Sequence, residues 1–245
     1  YGLVGSEMCI RDRTGCLSMH ENDLNFRKLS VSMLAALCLS QQTLMLPAIA
    51  EVKTNIPGAI KGSNGQYYID PATAKGDTGY RHYTDFKVSK NDIANLIFNY
   101  EGKDISKFVN LVDNKINIYG IVNSVGKDNN FYNGHAIFVS PNGMVVGSSG
   151  VLNVGSFTAI APNPISYLKY TGYYAGLDAF NSAASALGVD ASTITIPGVA
   201  DDVNLKLLKE SVSHANIDIN GKIFARGNVE LLAKNVKVQG GADGQ

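Results

Sequence analysis

Between Asn91 and Ala161 the apolar residues fall into short bursts, IANLIF, FVNLV, INIYGIV, HAIFV, MVVG and VLNVGSFTAIA, each punctuated by Gly, Asn or Asp. Such bursts are too short for helices and the punctuation marks turns, so the segment is predicted as strands. The same signal returns from Ala215 in NIDINGKIFA, NVELLA and NVKVQGG. Between the two blocks, over about 163–214, the composition shifts to Ala, Ser and Leu, with Leu177, Phe180, Ala184 and Leu187 spaced for one face of a short helix. A partly helical insertion outside the strand framework is expected there. Upstream, residues 51–90 are rich in Gly and turn residues, with short apolar pieces such as Tyr67 to Ile69, and read as short strands and loops that form an N-terminal cap.

The all-β reading leaves the architecture to be chosen. Asn142-Gly143 and Asn220-Gly221 are hairpin signals, and a sandwich is the default for an exported all-β chain. Two features point elsewhere. The punctuation recurs every 6 to 12 residues or so through 115–161 and 215–241, which suits strands stacked in one direction. In KINIYGIVN, Ile118, Ile121 and Val122 are placed to face a core, and Asn117, Gly120 and Asn123 to form corners. Asn suits corners because its amide bonds to the backbone, tolerates left-handed dihedrals and stacks in ladders. The expected fold is a right-handed parallel β-helix.

The beginning of the chain carries a different pattern. Residues 1–18 open on Tyr1 and include VGSEMCIRDR, which reads as a translated sequencing adapter, and they are set aside as non-native. From Met19 a polar stretch with Arg27 and Lys28 leads into the apolar Leu29 to Ser40 and then to Pro47-Ala48-Ile49-Ala50. A basic start, an apolar core and an A-x-A end are the three parts of a secretory signal. A transmembrane anchor would need about 20 apolar residues. Segment 19–50 is therefore expected to be a signal peptide handled by the Sec machinery and signal peptidase, with cleavage after Ala50 and the mature chain starting at Glu51.

Composition sharpens this picture. Residues 51–245 hold 17 basic and 17 acidic residues, so no net positive charge supports nucleic-acid binding. Cys9, Cys16 and Cys38 all precede the cleavage point, so the mature part is no disulfide scaffold and must be held by a core or by stacking. The 25 Gly and 23 Asn of the whole chain fit many tight turns.

Lys115 to Asn123 (KINIYGIVN), Asn129 to Gly134, Ala136 to Gly147 (AIFVSPNGMVVG) and Val151 to Ala159 (VLNVGSFTA) resemble the secretion domain of two-partner secretion exoproteins, the filamentous haemagglutinin N-terminal family. The family pattern runs as an I-x-G strand, a loop, an N-P-N-G-I turn, a short Gly-flanked strand and an N-V-G-S-F-like strand. Here the turn is Ser140-Pro141-Asn142-Gly143-Met144, with Ser for the first Asn and Met for Ile. The stretch from Asp201 to Gly241 also resembles that family's return to the helix, so the likeness covers Tyr80 to Gly241. It implies that residues 51–245 are the secretion domain of a large exported adhesin or haemagglutinin of a Gram-negative bacterium. Such a protein is secreted or surface-bound by way of the periplasm, where the receptor domains of an outer-membrane transporter recognise it. The residues implied in recognition or in the motif's structure are Asn117, Gly120, Ser140, Pro141, Asn142, Gly143, Asn153 and Gly155. No cofactor or metal is implied. The chain stops at GGADGQ in mid-rhythm, and host glycans or proteins are expected to be met by a region downstream.

Other classes are weighed against this reading. The mature histidines His82, His135 and His214 have no metal-ligand spacing, and no nucleophile or base signature accompanies them. His135 reads as a strand-end surface residue. Gly147-Ser148-Ser149-Gly150 lacks the Lys-Ser/Thr of a phosphate loop. Asp201-Asp202 precedes VNLKLL and reads as charge at a helix N-terminus. A secreted β-helix polysaccharide lyase or hydrolase would line one face with Asp, Lys or Arg, yet residues 117–160 contain only Lys127 and Asp128, both in a loop. The delivery stalk of a contact-dependent toxin is another alternative. A glycan-binding module remains a rival through Tyr167, Tyr170, Tyr173 and Tyr174, which would stack on sugars if exposed and would otherwise cover the flank of the insertion.

Overall fold

The computed structural model describes Ile56 and residues 59–195, 203–211 and 215–239. Segments 1–18 and 19–50, the cleavage residues Ala48, Ala50 and Glu51, the pair Asp201-Asp202 and His214 lie outside the described residues.

The chain begins with β1 (Ile60–Lys61), β2 (Tyr67–Ile69), β3 (Thr73–Lys75), β4 (Thr78–Tyr83), β5 (Lys87–Val88), β6 (Ile93–Ile97), β7 (Asn99–Tyr100) and β8 (Lys103–Asp104). It continues through β9 (Lys107–Val112), β10 (Ile116–Ile118), β11 (Ile121–Val125), β12 (His135–Val139), β13 (Met144–Val146), β14 (Val151–Val154) and β15 (Ser156–Ile160). Helices α1 (Pro164–Ala175), α2 (Leu177–Leu187) and α3 (Leu205–Lys209) follow, and then β16 (Asn216–Ile219), β17 (Lys222–Ala225), β18 (Val229–Leu232) and β19 (Asn235–Val238).

The protein is mostly β-strand in parallel-rich sheets with few helices. The first sheet has the order β1-β2-β6-β11-β14-β17, the second β5-β10-β13-β16-β19 and the third β3-β4-β9-β12-β15-β18. Successive strands visit different sheets: β9 lies in the third, β10 in the second, β11 in the first, and β12 is back in the third. Among the described residues only the strand pairs β1-β2, β3-β4 and β7-β8 are antiparallel. Asn142-Gly143 and Asn220-Gly221 therefore make no hairpins, because β13 pairs in parallel with β10 and β16 rather than with β12, and β17 pairs in parallel with β14 rather than with β16. Register partners are 27 to 30 positions apart in the earlier circuits, as in Tyr67 to Ala94 and Asn123 to Asn153, and only 21 and 19 apart in the shorter later ones, His135 to Ser156 and Asn216 to Asn235. Across the helical segment the separation grows to 72, between Thr158 and Glu230.

Burial patterns differ between the strands. In β10, β13 and β14 buried and half-buried residues alternate. In β12 and β15 four consecutive residues are buried, and in β9 five are. The third sheet is covered on both faces, which requires apolar residues at nearly every position. Inside lie Phe86, Phe98, Phe108, Phe138 and Phe157, each worth about 1.5–3 kcal/mol on burial. Phe86 meets Phe138 edge-on at 5.1 Å between ring centroids. On the outer face Tyr80, Val109, Leu111, Ile137, Val139 and Ile160 pack with Tyr167, Leu168, Tyr170 and Phe180 of α1 and α2.

Several expectations are corrected. Helix α2 is where the spacing put it, but Leu177 is 60% exposed, and the buried face is Ala179, Phe180, Ala183 and Ala184. A longer helix, α1, precedes it, started by Pro164 and by Asn163, whose Oδ1 accepts from the Ser166 amide at 2.8 Å. Ile121 is only half-buried, since it alternates with the core residue Val122. Asn117 and Asn123 lie mid-strand on outward positions rather than at corners, which leaves Gly120 as the corner residue of that motif. No helix among the described residues is long and apolar enough to cross a membrane.

Candidate functional site

The turn at Ser140–Gly143 joins the third sheet to the second between β12 and β13. Pro141 presets the backbone at the second turn position, and Gly143, with φ +79°, takes the left-handed conformation at the fourth. The Gly143 amide closes the turn on the Ser140 carbonyl at 3.0 Å. The buried Ser140 hydroxyl accepts from the Asn142 amide at 3.1 Å and donates to the Asn114 carbonyl at 2.8 Å. Asn142 Nδ2 donates to the Asp113 carbonyl at 2.7 Å. The turn is thus bolted to the corner of the preceding circuit. That corner is in turn bolted to the one before, because Asn114 Nδ2 donates to Asp85 Oδ1 at 2.9 Å. A Cβ on Gly143 would stand 2.1 Å from the Asn216 carbonyl oxygen, so the following circuit presses directly on the turn.

Beneath the turn lies Asp113, fully buried. Its Oδ1 meets His82 Nε2 at 2.8 Å and accepts the Tyr167 hydroxyl at 2.9 Å, while Oδ2 is buried with no hydrogen-bond partner among the described residues. Burial, reinforced by the neighbouring Asp113 carboxylate, pushes the Tyr167 hydroxyl well above its ordinary pKa, so it remains a donor. This node ties β4, the β9–β10 corner and α1 together and lies one peptide from Asn114, which anchors Ser140. Sequence reasoning missed it: Asp113 ends the apolar burst FVNLV and looks like a turn residue, and its partners are distant in the chain.

The remaining motif residues separate into two groups. Gly120 and Gly155 sit at corners where no side chain fits, with a Cβ on either approaching backbone atoms to 2.3 and 2.4 Å. Asn153 belongs to an outward row on the first sheet, in which Tyr68, Asn95, Asn123, Asn153 and Phe224 stand in direct register. Asn117 is outward on the second sheet and bonds locally to the Lys115 carbonyl at 2.8 Å. Neither Gly155, Asn153 nor Asn117 touches the Ser140–Gly143 turn in any described hydrogen bond.

His135 begins β12 half-buried, with Nε2 2.8 Å from Thr158 Oγ1. Thr158 approaches Glu230, which holds Lys209 Nζ at 2.6 Å. Burial, aided by the Lys209 ammonium, lowers the His135 pKa from its ordinary value of 6.5. Tyr167 and Tyr170 are buried in the seam between α1 and the third sheet, and Tyr174 stacks on Tyr80 at 4.4 Å. Among the described residues no group of three His, Cys, Asp or Glu is placed to hold a metal ion. The chain matches no family model, and no curated protein matches it.

Proposed function

We propose that residues 51–245 are the secretion domain of a two-partner secretion exoprotein, built as a right-handed parallel β-helix with an N-terminal cap and a helical insertion. The domain is an address and a folding nucleus for export, not a catalyst, and needs no cofactor. Its partner is the outer-membrane transporter, met in the periplasm after the Sec machinery and signal peptidase have acted, and its destination is the cell surface or the medium. The observation that carries this reading is the one-directional stack in which each circuit bonds only to its neighbours, ending in β17, β18 and β19, each with a strand partner on one side only among the described residues. Such a stack can propagate circuit by circuit as a chain emerges from a pore, and one-sided strands can accept a strand from a receptor or from further chain. Right-handed crossovers between parallel strands follow from strand twist. The antiparallel β1 and β3 at the other end of their sheets support the cap, and the bolted Ser140–Gly143 turn supports the motif likeness.

The test is binding of the full chain to the isolated periplasmic domains of its cognate transporter, together with secretion of a form lacking residues 19–50. Saturable binding and retention of the deleted form in the cytoplasm are expected. Absence of binding, with secretion independent of the transporter, would overturn the proposal.

A further inference from the structure

The outward row on the first sheet floors a half-open cavity of about 250 Å³ that the secretion reading does not use. Its lining includes Gln66, Tyr68, Asn95, Asn123, Asn153 and Phe131. Asn95 Nδ2 donates to Gln66 Oε1 at 2.8 Å, Asn123 Nδ2 to Asn95 Oδ1 at 3.0 Å, and Asn153 Nδ2 approaches Asn123 Oδ1 at 3.5 Å. A side-chain amide has two N–H donors and two acceptor lone pairs, and this ladder engages one N–H of each Asn. The half-buried Asn123 and Asn153 thus keep donor and acceptor capacity beyond the ladder at the strand spacing of about 4.8 Å, while Asn95 is itself buried.

The row is bounded by aromatic residues. Tyr68 is in register with Asn95 at one end and Phe224 with Asn153 at the other. Tyr68 is held by Asn64, whose Nδ2 donates to its hydroxyl at 2.9 Å. Phe224, on the terminal strand β17, is 58% exposed. The loop after β11 supplies a side wall: it folds back through a bridge between Val125 and Phe131, and the Arg226 guanidinium lies 4.0 Å over the Phe131 ring.

We infer that this amide row with its aromatic ends is a binding site for a neutral oligosaccharide. Sugar hydroxyls both donate and accept, as amides do, and the apolar faces of pyranose rings lie flat on aromatic rings. None of the lining residues is charged, and the Arg226 guanidinium beside them lies over the Phe131 ring, so the lining itself suits a neutral ligand. A peptide strand has nothing to pair with along Asn95, Asn123 and Asn153, because β6, β11 and β14 each have a strand partner on both sides. The inference stands independently of the secretion proposal.

The full chain is titrated calorimetrically with cellohexaose, laminarihexaose and mannohexaose, and with hexagalacturonate as the anionic control. At least one neutral hexaose should bind. Phe224→Ala, an exposed position that leaves the fold intact, should weaken that binding roughly tenfold or more, and Tyr68→Ala likewise. Asn123→Ala should abolish it where circular dichroism shows the sheets retained. Binding of hexagalacturonate alone, no binding of any neutral hexaose at millimolar concentration, or affinity unchanged in Phe224→Ala and Tyr68→Ala would overturn the inference.

Discussion

Asn142 and Asp113, 29 positions apart, are joined by a 2.7 Å bond from Asn142 Nδ2 to the Asp113 carbonyl. Two successive corners of the stack are thereby locked in register by one amide. Removing the amide with Asn142→Ala should lower stability by about 1 kcal/mol. Asn142→Asp, which keeps the size but cannot donate, should lose at least as much. Urea midpoints of the two variants check this, and an unchanged midpoint in both would show the bond to be idle.

Gly143 is constrained twice, by its positive φ and by the Asn216 carbonyl, whereas Gly65 shares the φ of +79° with nothing within 4 Å of a built Cβ. Gly65→Ala should therefore lose only the backbone term of about 1–2 kcal/mol. Gly143→Val adds a clash with backbone and should lose more than about 3 kcal/mol. Equal losses would mean that the next circuit yields freely.

Tyr167→Phe removes one of the two partners of a buried carboxylate oxygen, and the other oxygen of Asp113 has none among the described residues. A loss of about 1.5–3 kcal/mol is expected. The double variant Tyr167→Phe with Asp113→Asn should lose less than the sum of the singles, because they share one contact. Strict additivity in urea unfolding would contradict the shared node.

The folded His135 titrates below 6.5 because burial and Lys209 disfavour its charge. The unfolded chain therefore takes up this proton first as the pH falls, and stability declines from about 6.5 down to the folded value, then levels. The contribution is no steeper than about 1.4 kcal/mol per pH unit. In His135→Gln, which can still bond to Thr158, this part of the decline should vanish. Parallel pH profiles of wild type and variant would argue against it.

The sequence by itself determined the strand framework, because burst length and turn punctuation are written directly into local residue order. Short apolar bursts cut by Gly, Asn and Asp mark strands and turns before any partner is known, whereas only the structure shows that Val145 of the wholly apolar MVV faces outward and that Asn110 of FVNLV is buried. The sequence also marked the Ser140–Gly143 turn, since Pro and Gly act through their own dihedrals. The asparagine row was not read from the sequence, which put Asn123 at a corner, although Asn95, Asn123 and Asn153 each occupy the third position of a strand, spaced 28 and 30 residues apart. Tertiary structure alone decided which Asn stand mid-strand, because that depends on where each circuit turns. It alone placed Leu177 in solvent, since a helical face is chosen by the sheet it docks on and not by spacing. It alone assembled His82, Asp113 and Tyr167, whose meeting depends on contacts 31 and 54 residues apart that no local pattern encodes.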